Sequence, residues 1–314
     1  MHEPGVAQRA ALERARAGYL VACELDVAVR KPGNVSRLSA GHGMQADLFS
    51  ASARASVGPM FRPGARVGDR IEAAVAATAD AAGCNTNLGI VLLCAPIASA
   101  IELHPEADDP VALRAAIEHV LADLDVADAR ATYRAIAQAR PGGLGSAPAE
   151  DVHSLPSIDL RAAMALAAER DSIARQYRDG YAELFDLSLP ALSSGPTRLS
   201  GVFEPLIAPV IGPDGSVPPV VTNAVQRVYL AFLAGLPDSH IVRKHGAALA
   251  HSVMGSAQHW LARASAGELL DADPDFVRWD LELKAAGLNP GTSADFTVAA
   301  LFVAGFLGSS AAGR

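Results

Sequence analysis

The sequence predicts an all-α fold, built as one domain over residues 1–314, and three observations carry that expectation. Half of the residues are hydrophobic, yet only 5% are aromatic and alanine is abundant; this composition suits close helix-on-helix packing better than strands, where β-branched and aromatic side chains are favoured. Apolar residues recur at helical spacing in about ten segments, and alternating runs are almost lacking. Proline and glycine punctuate the chain between those segments.

Taken in order, the first pattern covers residues 6–29, where Ala11, Ala15, Leu20, Cys23 and Val27 recur at helical spacing, and it stops at Lys31-Pro32-Gly33. Further helices are expected over residues 69–82, 88–103, 110–121, 127–140, 159–187, 220–234, 240–264, 273–286 and 293–307. The breaks fall at Arg62-Pro63-Gly64, Pro141-Gly142-Gly143-Leu144-Gly145, Ser194-Gly195-Pro196, Gly212-Pro213-Asp214-Gly215 and Asn289-Pro290-Gly291. A hairpin around Pro213-Asp214-Gly215 is the one β candidate, and the prolines at 205, 209, 218 and 219 argue for irregular structure there instead. No repeat of fixed period divides the chain.

Charge and cysteine usage exclude several classes. The net charge is −8, from 26 basic and 34 acidic residues, and no Lys/Arg cluster supplies the footprint of a nucleic-acid binder. Cys23, Cys84 and Cys94 are odd in number and lie in apolar patterns, so buried thiols are expected rather than a disulfide framework. Glu3, Arg9, Glu13, Arg14 and Arg16 interrupt the stretch that a secretory signal would need. The longest uncharged apolar runs, 88–101 and 296–307, fall short of the roughly 20 residues that span a bilayer and read as core helices. A cytoplasmic protein without membrane or nucleic-acid partners is expected, and a homodimer is compatible with the sequence.

Familiar nucleotide motifs are missing: there is no P-loop and no dinucleotide fingerprint, and neither His-Glu-x-x-His nor Cys-x-x-Cys occurs. Polar clusters stand out where helices break: Lys31 to Ser36, Gly41 to Asp47, Asn85-Thr86-Asn87, Asp238 to His245, and Asn289 to Asp295. Capping explains some of them, since Ser, Thr, Asn and Asp satisfy the free N–H groups of helix N-termini. Five clusters, with Lys31 and Lys244 among them, exceed what capping needs, and helix N-termini also attract phosphate. The spacing points to an anion-binding site.

At these residues the chain resembles a known family. Lys31-Pro32-Gly33-Asn34-Val35, Gly83-Cys84-Asn85-Thr86-Asn87-Leu88-Gly89, Tyr133-Arg134-Ala135-Ile136 with Pro141 to Gly145 and Asp151-Val152, and Asn289 to Asp295 resemble, in order and spacing from about residue 18 to 308, the motifs of the triphosphoribosyl-dephospho-CoA synthase family. The resemblance implies a reaction in which ATP loses adenine while its triphosphoribosyl moiety joins a hydroxyl of dephospho-CoA. Two departures fall inside the motifs. Ser36 stands where the better-known bacterial members carry Asp, and Asn87-Leu88 where they carry His-Lys; Asp238-Ser239-His240 to Lys244-His245-Gly246 is likewise a variant of their Asp-Thr-Asn to Arg-Gly-Gly run. In these features the chain is more similar to the archaeal and methylotroph branch, for which another acceptor, such as an intermediate of methanopterin-type cofactors, is implied.

That chemistry passes through an oxocarbenium-like state beside a polyanion, so carboxylates, cations and Mg2+ are expected together. Lys31 and Lys244, with Arg243, are assigned to phosphates; Asp47 and Asp295 to metal ligation or base catalysis; and Glu24 is a third carboxylate. Gly33, Asn34 and Ser36, Asn85, Thr86 and Asn87, and Asn289, Gly291 and Ser293 are expected to bind ATP. Two alternatives stay open: a magnesium-dependent hydrolase of N-glycosides or ADP-ribosyl groups, and a non-catalytic helical nucleotide-binding protein.

Overall fold

The structure is a computed structural model that describes residues 5–146, 149–193, 210–212 and 214–311. These residues form fourteen α-helices, one 3₁₀ turn and no strand beyond isolated bridges at Ser36–Ser39 and Gly41–Met44. The helices are α1 (Val6–Ala28), α2 (Ala46–Met60), α3 (Val67–Ala82), α4 (Leu88–Leu103), α5 (Pro110–Ala122), α6 (Val126–Ala139), α7 (Leu160–Ala165), α8 (Ser172–Asp179), α9 (Ala182–Ser193), α10 (Pro219–Gly235), α11 (Ser239–His245), α12 (Ala247–Ser265), α13 (Pro274–Ala285) and α14 (Gly291–Ala311). Aspartate starts many of them: the carboxylates of Asp109, Asp125, Asp159, Asp171, Asp238 and Asp273 accept hydrogen bonds from the first free N–H groups of α5, α6, α7, α8, α11 and α13. Each such cap stabilises its helix by about 1 kcal/mol.

The core is organised by α4 and α14, which carry apolar residues on all sides. Every residue of α4 from 90 to 102 is buried, and α14 packs against α1, α4 and α10. Of the 18-residue stretch Gly291–Gly308, long and apolar enough on those grounds alone to cross a membrane, 78% is buried inside the fold. Tyr19, Phe61 and Phe302 meet edge to face, with centroids 5.7 to 6.0 Å apart, and lock α1 and α14 to the turn after α2. Burying each such side chain contributes about 1.5–3 kcal/mol. A second cluster, with Trp260, Phe276 and Leu283, joins α10 to α14.

The structure departs from the sequence expectations in four places. Helix α2 was not foreseen, because Ser50, Ser52 and Ser56 occupy its buried face and blur the apolar period; Ser52 and Ser56 donate to backbone carbonyls one turn or less earlier. The segment expected as one helix over 159–187 is three, divided at the Asp171 cap and at Gly180, whose φ of 61° only a left-handed residue adopts. The pattern over 240–264 breaks at Gly246. Cys84 is exposed, in the turn after α3, whereas Cys23 and Cys94 are buried as expected. The break at Ser194-Gly195-Pro196 and the hairpin candidate as far as residue 209, with Pro213, lie outside the described residues; after them Gly212 N–H donates to Ser216 in a turn that leads into α10.

Candidate active site

A cavity of about 560 Å³ opens where the motif-bearing helix ends meet. Its walls come from α1, the loop before α2, the start of α4, the end of α6 with the glycine-rich turn, the α7–α8 turn, α11 and the start of α14. Three carboxylates, the buried Asp238 and Asp280 and the half-buried Asp171, hold these pieces in place. Asp238 accepts from His240 and Ile241 N–H in α11 and from both N–H and Oγ of Ser293 (2.7 and 2.8 Å), so the starts of α11 and α14 are tied together. Asp280, fully buried, accepts from Gly33 N–H (2.9 Å) and Arg30 (2.7 Å) and pairs with Lys284 (2.8 Å), which fixes the Lys31-Pro32-Gly33 turn against α13. Asp171 caps α8 with one oxygen and takes Arg243 Nη1 with the other at 2.7 Å.

Charge is divided within the cavity. Arg140, Arg170 and Lys244 line it, are exposed and have no ion-pair partner among the described residues. They form a cationic rim. Arg243 lies beside them, half-buried, with its Nε lacking a hydrogen-bond partner. Two carboxylates lie deeper. Asp26 on α1 is 3% exposed, and Asp295 on α14 is pressed against the first turn of α4, where a Cβ at Gly89 would collide with its Oδ2. Burial, then the neighbouring Asp26 and Asp238 carboxylates, hold the Asp295 carboxyl well above the usual range; burial also raises Asp26, and Lys31 offsets part of that shift. His240 is pushed down to about 3 by burial, and then by Lys244 and Arg243. Its imidazole is therefore neutral at physiological pH.

Of the residues expected at the site, Asn34, Asn85, Thr86, Asn87, Arg243, Lys244, Asn289, Gly291 and Asp295 line the cavity. Asn34 donates to Asn289 (2.9 Å), Asn85 caps Leu88 N–H (3.1 Å), Thr86 shares a hydrogen bond with Ser52 (2.6 Å), and the buried Asn87 Nδ2 has no partner. Six others lie elsewhere. Lys31 does not line the cavity: its side chain is fully buried, with Nζ on Asp26 O (2.5 Å) and Asn34 Oδ1 (3.1 Å). Gly33 is structural, because its φ of 82° and the nearness of Pro290, whose Cδ would lie 2.7 Å from a Cβ, exclude a side chain. Ser36 is buried away from the cavity and Ser293 is committed to Asp238. Glu24 points outward to Arg37, Arg54 and Ser50. Asp47 is an exposed first-turn residue of α2, so the two carboxylates expected to share a metal do not meet in the cavity. The described residues contain no group of three His, Cys, Asp or Glu side chains able to hold a metal ion.

Sequence reasoning missed Asp26, Arg140, Arg170, Asp171 and His240, all of which line the cavity. Asp26 did leave a signal, since it is an acid in the row Ala15, Tyr19, Ala22, Cys23 that α1 buries. Arg140 and Arg170 left none, because they sit at helix ends where solvated arginines are ordinary.

An all-helical fold with a cationic rim beside two carboxylates offers charge-assisted hydrogen bonds that suit a phosphorylated ligand. The family model for CitG, ATP:dephospho-CoA triphosphoribosyl transferase, matches residues 13–204 and 219–312, and the chain belongs to this family of transferases. A crystal structure of an Archaeoglobus fulgidus protein described as a triphosphoribosyl-dephospho-CoA synthase is similar in fold, with a TM-score of 0.56 and 20% identity over 82% of this chain and 96% of that one. No curated protein matches the sequence.

Proposed function

We propose that this chain moves a phosphorylated ribosyl group from ATP to a hydroxyl of a second cofactor precursor, with release of adenine. The observation that carries the reading is the division of charge in one cavity: exposed Arg140, Arg170 and Lys244 at the rim, and the buried Asp26 with the half-buried Asp295 further in. Two like unit charges about 4 Å apart repel by roughly 4 kcal/mol at an effective dielectric near 20, so a triphosphate cannot share the floor with two carboxylates. It fits at the rim, where charge-assisted bonds from arginine suit phosphate oxygens. The ribose then reaches the floor, where positive charge develops at C1′ as the glycosidic bond breaks. Magnesium is part of the proposal as a companion of the triphosphate, since it commonly keeps several waters and binds through phosphates and one or two carboxylates; nothing among the described residues forms a dedicated protein cage for it.

For the acceptor we propose a molecule other than dephospho-CoA, of the ribosyl- or hydroxyl-bearing cofactor-precursor class to which methanopterin-type intermediates belong. Leu88 supports this reading: it lines the cavity where the better-known members carry a lysine, so the wall has lost a cation. Ser36 contributes nothing to it, because it lies outside the lining. The test is mass spectrometry of products from ATP, magnesium and a panel of acceptors that includes dephospho-CoA and pterin-ribosyl intermediates. Transfer to a non-CoA acceptor is expected. Efficient adenine release with dephospho-CoA, at kcat/KM of about 10⁴ M⁻¹s⁻¹ or more, restores the family reaction, and release with no acceptor at all makes the protein a hydrolase.

A further inference from the structure

The two floor carboxylates have different surroundings, and the difference goes beyond what the transferase reading needs. Asp26 Oδ1 lies 3.0 Å from Lys31 Nζ, off the hydrogen-bonding direction, and accepts no hydrogen bond among the described residues. Lys31 has no exposed surface and does not line the cavity, so it touches no substrate. Its other partners are the Asp26 carbonyl and Asn34 Oδ1, and Asn34 passes the contact on to Asn289 at the start of α14. A buried ammonium costs several kcal/mol of lost hydration unless an anion compensates it, and the only anion in contact with Lys31 among the described residues is Asp26. Asp295, by contrast, has no ion pair and no hydrogen bond to its carboxylate among the described residues; its nearest cationic influence is Arg243, and Asp26, Asp238 and Asp171 oppose it. Paired carboxylates in unlike environments take opposite parts in acid–base chemistry.

Resting on the transferase reading, we propose that Asp26 is a catalytic base for the acceptor hydroxyl, with Lys31 as its positioning residue, while Asp295 is the acid that protonates the departing base. In the step, the C1′–N9 pair of electrons leaves with adenine and a ring nitrogen takes the proton of Asp295. The acceptor oxygen bonds to C1′ and its proton passes to the Asp26 carboxylate. Asp26 ends protonated and Asp295 ionised, and exchange with solvent restores both. The buried state of the two groups is consistent with this direction, since Lys31 favours the charged form of Asp26 and nothing in contact favours that of Asp295.

The experiment measures adenine release from ATP by the full chain with whichever acceptor of the panel gives the highest turnover, together with circular dichroism. Asp26→Asn is expected to lower kcat by about 10²-fold or more while the KM for ATP changes less than about threefold. Lys31→Met is expected to move the acidic limb of the kcat/KM profile upward by about one pH unit or more, with Lys31→Arg restoring part of the shift. The groups that interact electrostatically with Asp26 are Lys31 from the loop, Cys23 on α1, Tyr229 on α10 and Asp295 on α14, and His42, His240 and Arg243 share the cavity with it. A folded Asp26→Asn protein with kcat within tenfold of the parent overturns the proposal, as does an unshifted limb in Lys31→Met. Should either single variant fail to fold, the double variant D26N/K31M, which removes both charges, decides: loss of 10²-fold in kcat supports the assignment and retention within tenfold overturns it. A parent protein that releases no adenine with any acceptor refutes the transferase reading itself, a result separable from the behaviour of the variants.

Discussion

Two of the buried ion pairs among the described residues differ in how fully they are satisfied. Arg70 on α3 and Glu102 on α4 are fully enclosed, and every polar group of the pair is used: Arg70 donates to Glu102, to the Met60 carbonyl (2.7 Å) and to Ala65 (3.0 Å), and Glu102 accepts Gly64 N–H at 2.7 Å. Lys31 and Asp26 are as deeply buried, yet Asp26 Oδ1 has Lys31 Nζ at 3.0 Å as its ion-pair partner and accepts no well-directed hydrogen bond among the described residues, and Asp26 forms part of a cavity wall. Breaking a satisfied buried pair costs about 3–5 kcal/mol of stability. Leaving a carboxylate incompletely satisfied beside a cavity gains nothing for the fold, and it is the arrangement that the catalytic proposal for Asp26 uses. Satisfaction, more than burial, separates a structural ion pair from a functional one.

The comparison can be broken most directly at Asp295, where Asp295→Asn should reduce turnover by about 10²-fold or more without change in helix content. Kinetics with circular dichroism on the same preparation would show it. The opposite signature belongs to Arg70→Met: a loss of about 3–5 kcal/mol in urea-measured stability and, per folded molecule, unchanged kcat. Equal effects on both properties in the two variants would erase the distinction. Gly89→Ala sharpens it from the backbone side. Alanine is favoured over glycine in a helix by about 1 kcal/mol, but here its methyl group takes the place of the Asp295 carboxylate; helicity should hold while kcat falls by about tenfold or more.

Smaller effects belong to the rim. Lys244→Gln and Arg170→Gln should raise the KM for ATP by a few fold each, leave kcat nearly unchanged and weaken the dependence of KM on ionic strength, because exposed cations act through screened attraction. The smallest concerns His240. Its pKa is pushed down to about 3 in the folded protein, from about 6.5 in the unfolded chain, so its contribution to stability is present above about 6.5 and is lost as pH falls toward 3. The raised carboxyls of Asp26, Asp238 and Asp295 act in the other sense, their contribution being present at low pH and lost on alkalinisation. The urea midpoint at pH 7 minus that at pH 4.5 should therefore be more positive in the parent than in His240→Asn.

Much of the helical framework could be read from local signals. The period of apolar residues placed α1, α3, α4, α5, α6 and α10 within a few residues, and aspartates before α5, α6 and α8 mark their starts. Helix α2 escaped because its core face is made of serine and alanine, which carry little apolar contrast. The site was legible in part. Asn85, Asn87, Lys244, Asn289 and Asp295 are polar residues at helix starts or ends and do converge, whereas Lys31, with the same appearance in sequence, folded inward to neutralise Asp26.

By itself the sequence determined the all-α class, most helix spans, the breaks that carry the polar clusters and the family to which the motifs belong, because each of these depends on neighbours within a turn or two. Only the tertiary structure decided which polar residues look into the cavity. Glu24 and Asp26 are two positions apart, and at about 100° per residue that is about 200° around α1. One faces Arg37 and Arg54 on the outside and the other the cavity floor. The apolar row of α1 marks the face that turns inward, but that this face opens on a cavity at Asp26 is decided by how α4 and α14 pack against α1.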